Sequence, residues 1–269
     1  MPPLLPRLGL LFAIGWTPAC FNTPTPLAPS LAGSVGLPHR GVLTGAARLP
    51  AKGLGYHRLR SDAVRWGNPR LVRAIERAAA DVARGMPGGA DLRVADLSAR
   101  RGGRIARHRS HRSGRDADLL FYALTPDGRS MDNPGFLHFG PDGLAATDRR
   151  DHPFVRLDVP RQWLLVRSLL TAPEAQVQWL FIARPLEALI IEYALAKGEP
   201  LDLVWRAQKV LHQPSDSASH DDHIHMRLAC TPDEATQGCA GGPRWPWLPP
   251  LERAASDTDE ELLQALLED

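Results

Sequence analysis

The stretch His220-Asp221-Asp222-His223-Ile224-His225-Met226-Arg227-Leu228-Ala229 decides the fold. From His223 onward polar and apolar residues alternate, the period of a strand that buries one face. Ile224, Met226 and Leu228 then point into a core, and His223 and His225 project together from the opposite face. A strand of this kind carries chemistry on one side and packing on the other.

The elements around it read in the same way. Asp116 to Tyr122 reads as a second strand, with Leu92 to Leu97 and Val177 to Ala183 as further ones and short strands or a hairpin over Arg40 to Leu59. Asn68-Pro69 sets a helix start, Asn as N-cap and Pro at the first helical position. Leu71, Val72, Ile75, Ala79 and Val82 follow at helical spacing, and Gly85 ends the run. Pro160 to Leu170, Pro185 to Lys197 and Leu201 to Leu211 read as further helices, the second stopped by Gly198. Asp127 to His152 is turn-rich, and Cys230 to Pro250 reads as irregular. Strands and helices mix without a βαβ rhythm. The expected class is α+β, a small, mainly antiparallel sheet flanked by helices, with a metal site at the sheet.

The 269 residues are 43% hydrophobic and 23% charged, with a formal net charge of +2. That composition fits a globular chain and argues against wholesale disorder. A net charge so near zero gives no whole-protein case for nucleic acid, which is left out of the partners. No internal apolar run reaches the roughly 18 residues of a membrane span. Residues 1–20 read as an export signal, with Arg7 as the early charge and Leu8 to Trp16 as the apolar segment. Thr17-Pro18-Ala19-Cys20 leaves two readings, a lipid anchor through Cys20 or plain secretion. Both place the mature chain in the periplasm or cell envelope, where disulfides persist. Cys230 and Cys239 are then expected to form a local bridge, two free buried thiols being the competing reading. Residues 21–38 read as a Pro-rich tether, 39–240 as the folded domain, and 241–269 as a tail with a short acidic helix over Ser256 to Leu267.

Two histidine groups carry the chemistry: His108-Arg-Ser-His111-Arg-Ser-Gly114-Arg-Asp116-Ala-Asp118, and His220 to His225. Imidazole and carboxylate suit zinc, and a catalytic zinc uses three protein ligands plus a water. Gly114 lets the turn fold back, so that His111 and Asp118 converge, and a His from the later strand completes the set. Alone, a His-x-His is more often surface or structural than a metal site. The two groups together favour metal.

This double pattern resembles the penicillin-insensitive murein endopeptidases, within the wider LAS group of zinc peptidases. Their His-x-x-His-x-x-Gly-x-Asp-x-Asp and His-Asp-Asp-His-x-His stand here as His108 to Asp118 and His220 to His225. The likeness also takes in Trp66-Gly67, Asp96-Leu97-Ser98, Gly102-Gly103 and His212-Gln213-Pro214, and spans most of residues 50–230. The resemblance implies zinc bound by His111, Asp118 and His225, with His108 within reach of the metal. It implies His223 as general base or oxyanion stabiliser and His220 as a second active-site histidine. Asp116, Asp221 and Asp222 would orient imidazoles or serve the turns. The implied reaction is hydrolysis of peptidoglycan cross-link peptides by a metal-activated water. Alternatives are a D-Ala carboxypeptidase and a non-catalytic, zinc-dependent cell-wall binding protein. Neither a Gly-x-Ser-x-Gly elbow nor a His-Glu-x-x-His helix is present.

Other features have plainer readings. Arg100, Arg101, Arg104, Arg107, Arg109, Arg112 and Arg115 form a basic loop, either solvated or matched to peptidoglycan carboxylates. Asp148, Asp151 and His152 read as an exposed loop rather than a second metal site. Trp163, Trp179 and Trp205 read as core, while Trp245 and Trp247 either contact glycan or cover the core's edge.

Overall fold

The strand His223–Leu228 lies inside a seven-stranded sheet. Across the sheet the order is Leu211–His212, Val177–Phe181, His223–Leu228, Asp116–Leu120, Leu92–Val94, Tyr56–Arg58 and Lys52–Gly53. Four of the six neighbouring pairs are antiparallel. The computed structural model describes residues 33–60 and 62–251; the export signal and the acidic helix lie outside the described residues.

Among the described residues five α-helices flank the sheets: α1 (Pro69–Gly85), α2 (Val159–Thr171), α3 (Arg184–Ala196), α4 (Leu201–Val210) and α5 (Pro232–Thr236). Helix α1 starts as its sequence dictates, since the Asn68 side chain accepts the Arg70 N–H at 3.0 Å and Pro69 opens the first turn. Ile224, Met226 and Leu228 are fully buried in one core with Leu71 and Ile75 of α1 and Leu165 and Leu169 of α2. Each such side chain contributes about 1.5–3 kcal/mol on burial. That packing fixes which face of the central strand is left for His223, His225 and Arg227.

The register then decides the site. His225 stands opposite Asp118 on one neighbouring strand and opposite Phe181 on the other. A slip of one residue would turn every histidine of the strand into the core, so the apolar set enforces the pairing.

Several expectations need correction. The fold does not begin at His39: Gly33–Leu37 pairs antiparallel with Arg40–Thr44, and Ser34 is buried, so this part of the expected tether is a strand. Cys230 to Pro250 is not wholly irregular, because Thr231 and Glu234 cap α5 reciprocally. Within 241–251, Gly241 and Pro243 accept bonds from Gln178, and Trp245 and Trp247 pack on the core. The turn-rich stretch holds the short strands Ser130–Met131 and Leu144–Ala146 of a separate four-stranded sheet. Trp163 is buried as expected, but Trp205 is exposed and Trp179 only half-buried. Cys230 and Cys239 are disulfide-bonded.

Candidate metal centre

The loop before Asp116 is bent by five residues with left-handed backbone, Gly102, Gly103, Arg107, His111 and Gly114. At Gly114 glycine is required twice over, by its φ of +75° and because a Cβ would meet the Leu43 side chain at 2.6 Å. His111 takes the same unusual region with a side chain, and its surroundings hold it there. The Ser98 hydroxyl donates to its carbonyl, and its own N–H donates to Asp116 Oδ2 at 3.3 Å. Its Nδ1 lies 2.8 Å from the Leu97 carbonyl. A carbonyl only accepts, so Nδ1 carries the proton and Nε2 turns a lone pair inward.

That lone pair meets a buried carboxylate. His111 Nε2 is 3.2 Å from Asp118 Oδ1, and His223 Nε2 and His225 Nδ1 are each 3.3 Å from the same oxygen. His108 Nε2 is 3.8 Å from Asp118 Oδ2 but only 2.9 Å from Asp96 Oδ2. The site's outer supports are carboxylates. Asp116 Oδ1 sits 2.9 Å from His225 Nε2 and accepts from Arg227 Nε at 2.6 Å. Asp222 Oδ1 lies 2.6 Å from His223 Nδ1. These contacts leave His225 Nδ1 and His223 Nε2 facing Asp118.

The electrostatics are those of a compressed charge cluster. Burial disfavours the charged form of His111, but Asp118 outweighs it and raises its pKa. Burial opposes the Asp118 charge as well, and His111 and His223 overcome it, holding the carboxyl well below the usual range. At His223 burial again pushes down, while Asp118 and Asp222 lift it to about 10. His220 goes the other way, lowered to about 4 by burial and then by the charges of His225 and His223.

A metal ion fits this place. Both Asp118 oxygens and His111 Nε2 are buried without a hydrogen-bond partner, because the close approaches between them are not aligned as hydrogen bonds. Buried polar atoms left this way are costly, and a cation among them satisfies several at once. Among the described residues, His108, His111 and Asp118 form one group with metal-sized spacing, and His220, His223 and His225 form another.

A family model described as penicillin-insensitive murein endopeptidase matches residues 34–246. The chain belongs to the penicillin-insensitive murein endopeptidase family. A Haemophilus influenzae protein of that name is 29% identical over 217 residues, covering 78% of this chain and 68% of the relative. A Klebsiella pneumoniae (strain 342) protein of the same name is 28% identical over 229 residues, covering 84% of this chain and 75% of the relative. The family match begins within the Gly33–Leu37 strand, wider than the 50–230 expected.

In this murein endopeptidase family member, His111, Asp118, His223 and His225 converge as the two motifs predict, and His220 lies beside them, its ring 5.3 Å from His223. Gln213 sets its position by accepting the His220 N–H at 3.0 Å. Asp221 does not reach the cluster histidines; it pairs with His138 at 2.7 Å. Arg115 is no part of a solvated loop. It is fully buried, pulled down to about 10 by burial, and donates to the Leu228 and Ala240 carbonyls. Asp148, Asp151 and His152 do not form a metal-sized group among the described residues. Sequence reasoning missed the roles of Asp96, Phe136 and His138. Phe136 stands edge-on to His223 at 5.5 Å and carries the Arg60 guanidinium on its face. Local spacing does not reveal these contacts, because Phe136 and His138 come from the distant turn-rich stretch and Asp96 from the end of the Leu92 to Leu97 run.

Proposed function

We propose that this chain is a zinc-dependent endopeptidase that hydrolyses the cross-link peptides of murein in the bacterial cell envelope. The observation that carries the reading is the convergence of three imidazole nitrogens on Asp118 Oδ1, a buried oxygen with no hydrogen-bond donor. Imidazole and carboxylate donors in this number suit zinc.

His111, Asp118 and His225 would hold the ion. Bound zinc supplies Lewis acidity, making water nucleophilic near neutral pH and polarising the scissile carbonyl. The Leu97 carbonyl and Asp116 would accept from the outer ring nitrogens of His111 and His225, aiming the inward nitrogens at the ion. His223 is the general base. Its Nδ1–H is held by Asp222, and once a bound ion takes up the Asp118 charge that helps lift the His223 pKa, Nε2 would accept a proton from the attacking water and pass it to the leaving amine. His220, neutral because burial and its neighbours depress its pKa, donates toward the oxyanion that develops. Phe136 and Phe181 pack against His223 and His225 and keep bulk water away. His108, with Nε2 2.9 Å from Asp96 Oδ2 and 3.8 Å from Asp118 Oδ2, would stand within reach of the ion or its water.

Export by residues 1–20, with or without lipid on Cys20, completes the proposal, and the mass of the mature N-terminus separates the two forms. A non-catalytic wall binder would not need Asp222 to hold His223 beside the metal ligands. A D-Ala carboxypeptidase would share the zinc site and differ in its products. Purified zinc-loaded protein should split cross-linked muropeptides into monomers. His223→Ala should lower that rate at least about 100-fold with zinc retained. An unchanged muropeptide profile with the wild-type protein overturns the reading, and release of terminal alanine alone assigns the carboxypeptidase.

A further inference from the structure

A strip of aromatic rings runs from the histidine cluster to the molecular surface. Phe181 lies 5.4 Å from His225 and 5.8 Å from His220, centroid to centroid. Trp179, on the same strand, stacks on Phe181 at 5.8 Å and touches His212 at 5.1 Å. Trp245 stands edge-on to Trp179 at 5.0 Å, and Trp247 lies parallel to Trp245 at 5.2 Å. Trp205 of α4 meets Trp247 at 5.2 Å.

Core packing accounts for the inner end of this strip but not for the outer one. Trp205 is 46% exposed, and Leu201, one turn earlier on the same face of α4, is 74% exposed. Trp179, Trp245 and Trp247 are each half-buried, offering part of a ring to solvent. Trp245 is also fixed in place. The Trp245 indole N–H donates to the Gln178 carbonyl at 2.6 Å, and Gln178 itself holds the backbone of Gly241 and Pro243. Two cations line the outer end, Arg206 over the Trp247 ring at 6.0 Å and Lys209 over Trp205 at 5.7 Å. Arg206 also lies 3.8 Å from Asp202.

Rigid, half-exposed indoles supply contact area at little entropic cost. The parts of these rings left open to solvent suit a ligand that is itself a row of flat, C–H-bearing rings with polar rims. Cations beside them suit carboxylates. A polymer of amino sugars bearing acidic peptides has this chemistry. The strip is also continuous with the wall of the proposed catalytic site, and a cross-link peptide hangs from such a polymer. We propose that Trp179, Trp245, Trp247 and Trp205 bind the glycan strand of the substrate, so that the enzyme grips polymeric murein beside the bond it cuts. This inference rests on the murein endopeptidase reading and adds a second contact to it.

The test compares two substrates with the full zinc-loaded chain: intact sacculi, and a soluble cross-linked peptide dimer without sugar. For Trp205→Ala the ratio of the sacculus rate to the peptide rate should fall at least about fivefold, with the loss in KM for sacculi. Trp205→Tyr, which keeps a flat ring, should restore most of the ratio. Phe154→Ala, an exposed aromatic elsewhere on the surface, should leave the ratio at the wild-type value. Glycan strands stripped of stem peptides should change the tryptophan fluorescence of the wild type and do so more weakly with Trp205→Ala. An unchanged ratio in Trp205→Ala overturns the proposal. So does a wild-type dimer that Trp205→Ala dissociates, which gives this face to a second copy of the chain. If the wild type cleaves neither substrate, the peptidase reading fails, and the fluorescence titration still decides the glycan contact.

Discussion

At the scale of single residues the proposed chemistry turns on Asp118. It is fully buried, faces three imidazoles, and has no hydrogen-bond donor of its own. Asp118→Asn keeps the shape and removes the charge, so it isolates the ligand role from packing. Zinc content after dialysis should fall at least about tenfold, the scale found even for groups that only support a ligand. Full occupancy, measured by elemental mass spectrometry, would remove Asp118 from the ligand set. This residue was legible in the sequence because two simple rules met on it. Strand alternation put His223 and His225 on one face, and Gly114 allowed the loop to return His111 toward Asp118. Asp96 and Phe136 were not legible in role, since their contacts with His108 and His223 depend on where separate loops arrive.

At the scale of elements, the start of α1 is a junction rather than a simple cap. Asn68 accepts the Arg70 N–H, donates to Glu234 and to Ser34 Oγ, and gives its own N–H to the Gly114 carbonyl. The side chain therefore ties α1 to the first strand and to α5, and the backbone N–H ties it to the histidine loop. Asn68→Ala loses the cap, worth about 1 kcal/mol, and deprives buried Glu234 of a donor, worth about 1–2 kcal/mol more. Denaturant unfolding should show a loss of about 2–3 kcal/mol with little change in slope. A loss under about 1 kcal/mol would reduce Asn68 to an ordinary cap. The cap itself was readable from Asn68-Pro69. The partner helix α5 was also written in the sequence, as Thr231 and Glu234 in capping-box spacing, but a five-residue helix has too little apolar periodicity to stand out. The strand Gly33–Leu37 escaped for a related reason. Its glycines and serine mimic a linker, and only pairing with Arg40–Thr44 reveals it.

At the scale of the whole molecule, a bound metal would tie the histidine cluster to global stability. The proposed ligands come from the histidine loop, the strand Asp116–Leu120 and the strand His223–Leu228, so no unfolded chain presents them together. A cation that binds only the folded form stabilises it by mass action, about 2.7 kcal/mol when free metal is 100 times its dissociation constant. For a domain of this size each kcal/mol moves the melting temperature by about 2–4 °C. Zinc-loaded protein should therefore melt about 5–10 °C above protein stripped with a chelator, and re-addition of zinc should restore the higher value. The Cys230–Cys239 bridge is retained in both forms, so the difference reports the metal alone. Asp118→Asn supplies the internal control. With the ligand gone, chelator should leave its melting temperature unchanged, because the step being measured has already been removed. An equal chelator-induced drop in that variant would place the stabilising ion elsewhere in the fold, and a wild type indifferent to chelator would detach the buried carboxylate from metal binding altogether.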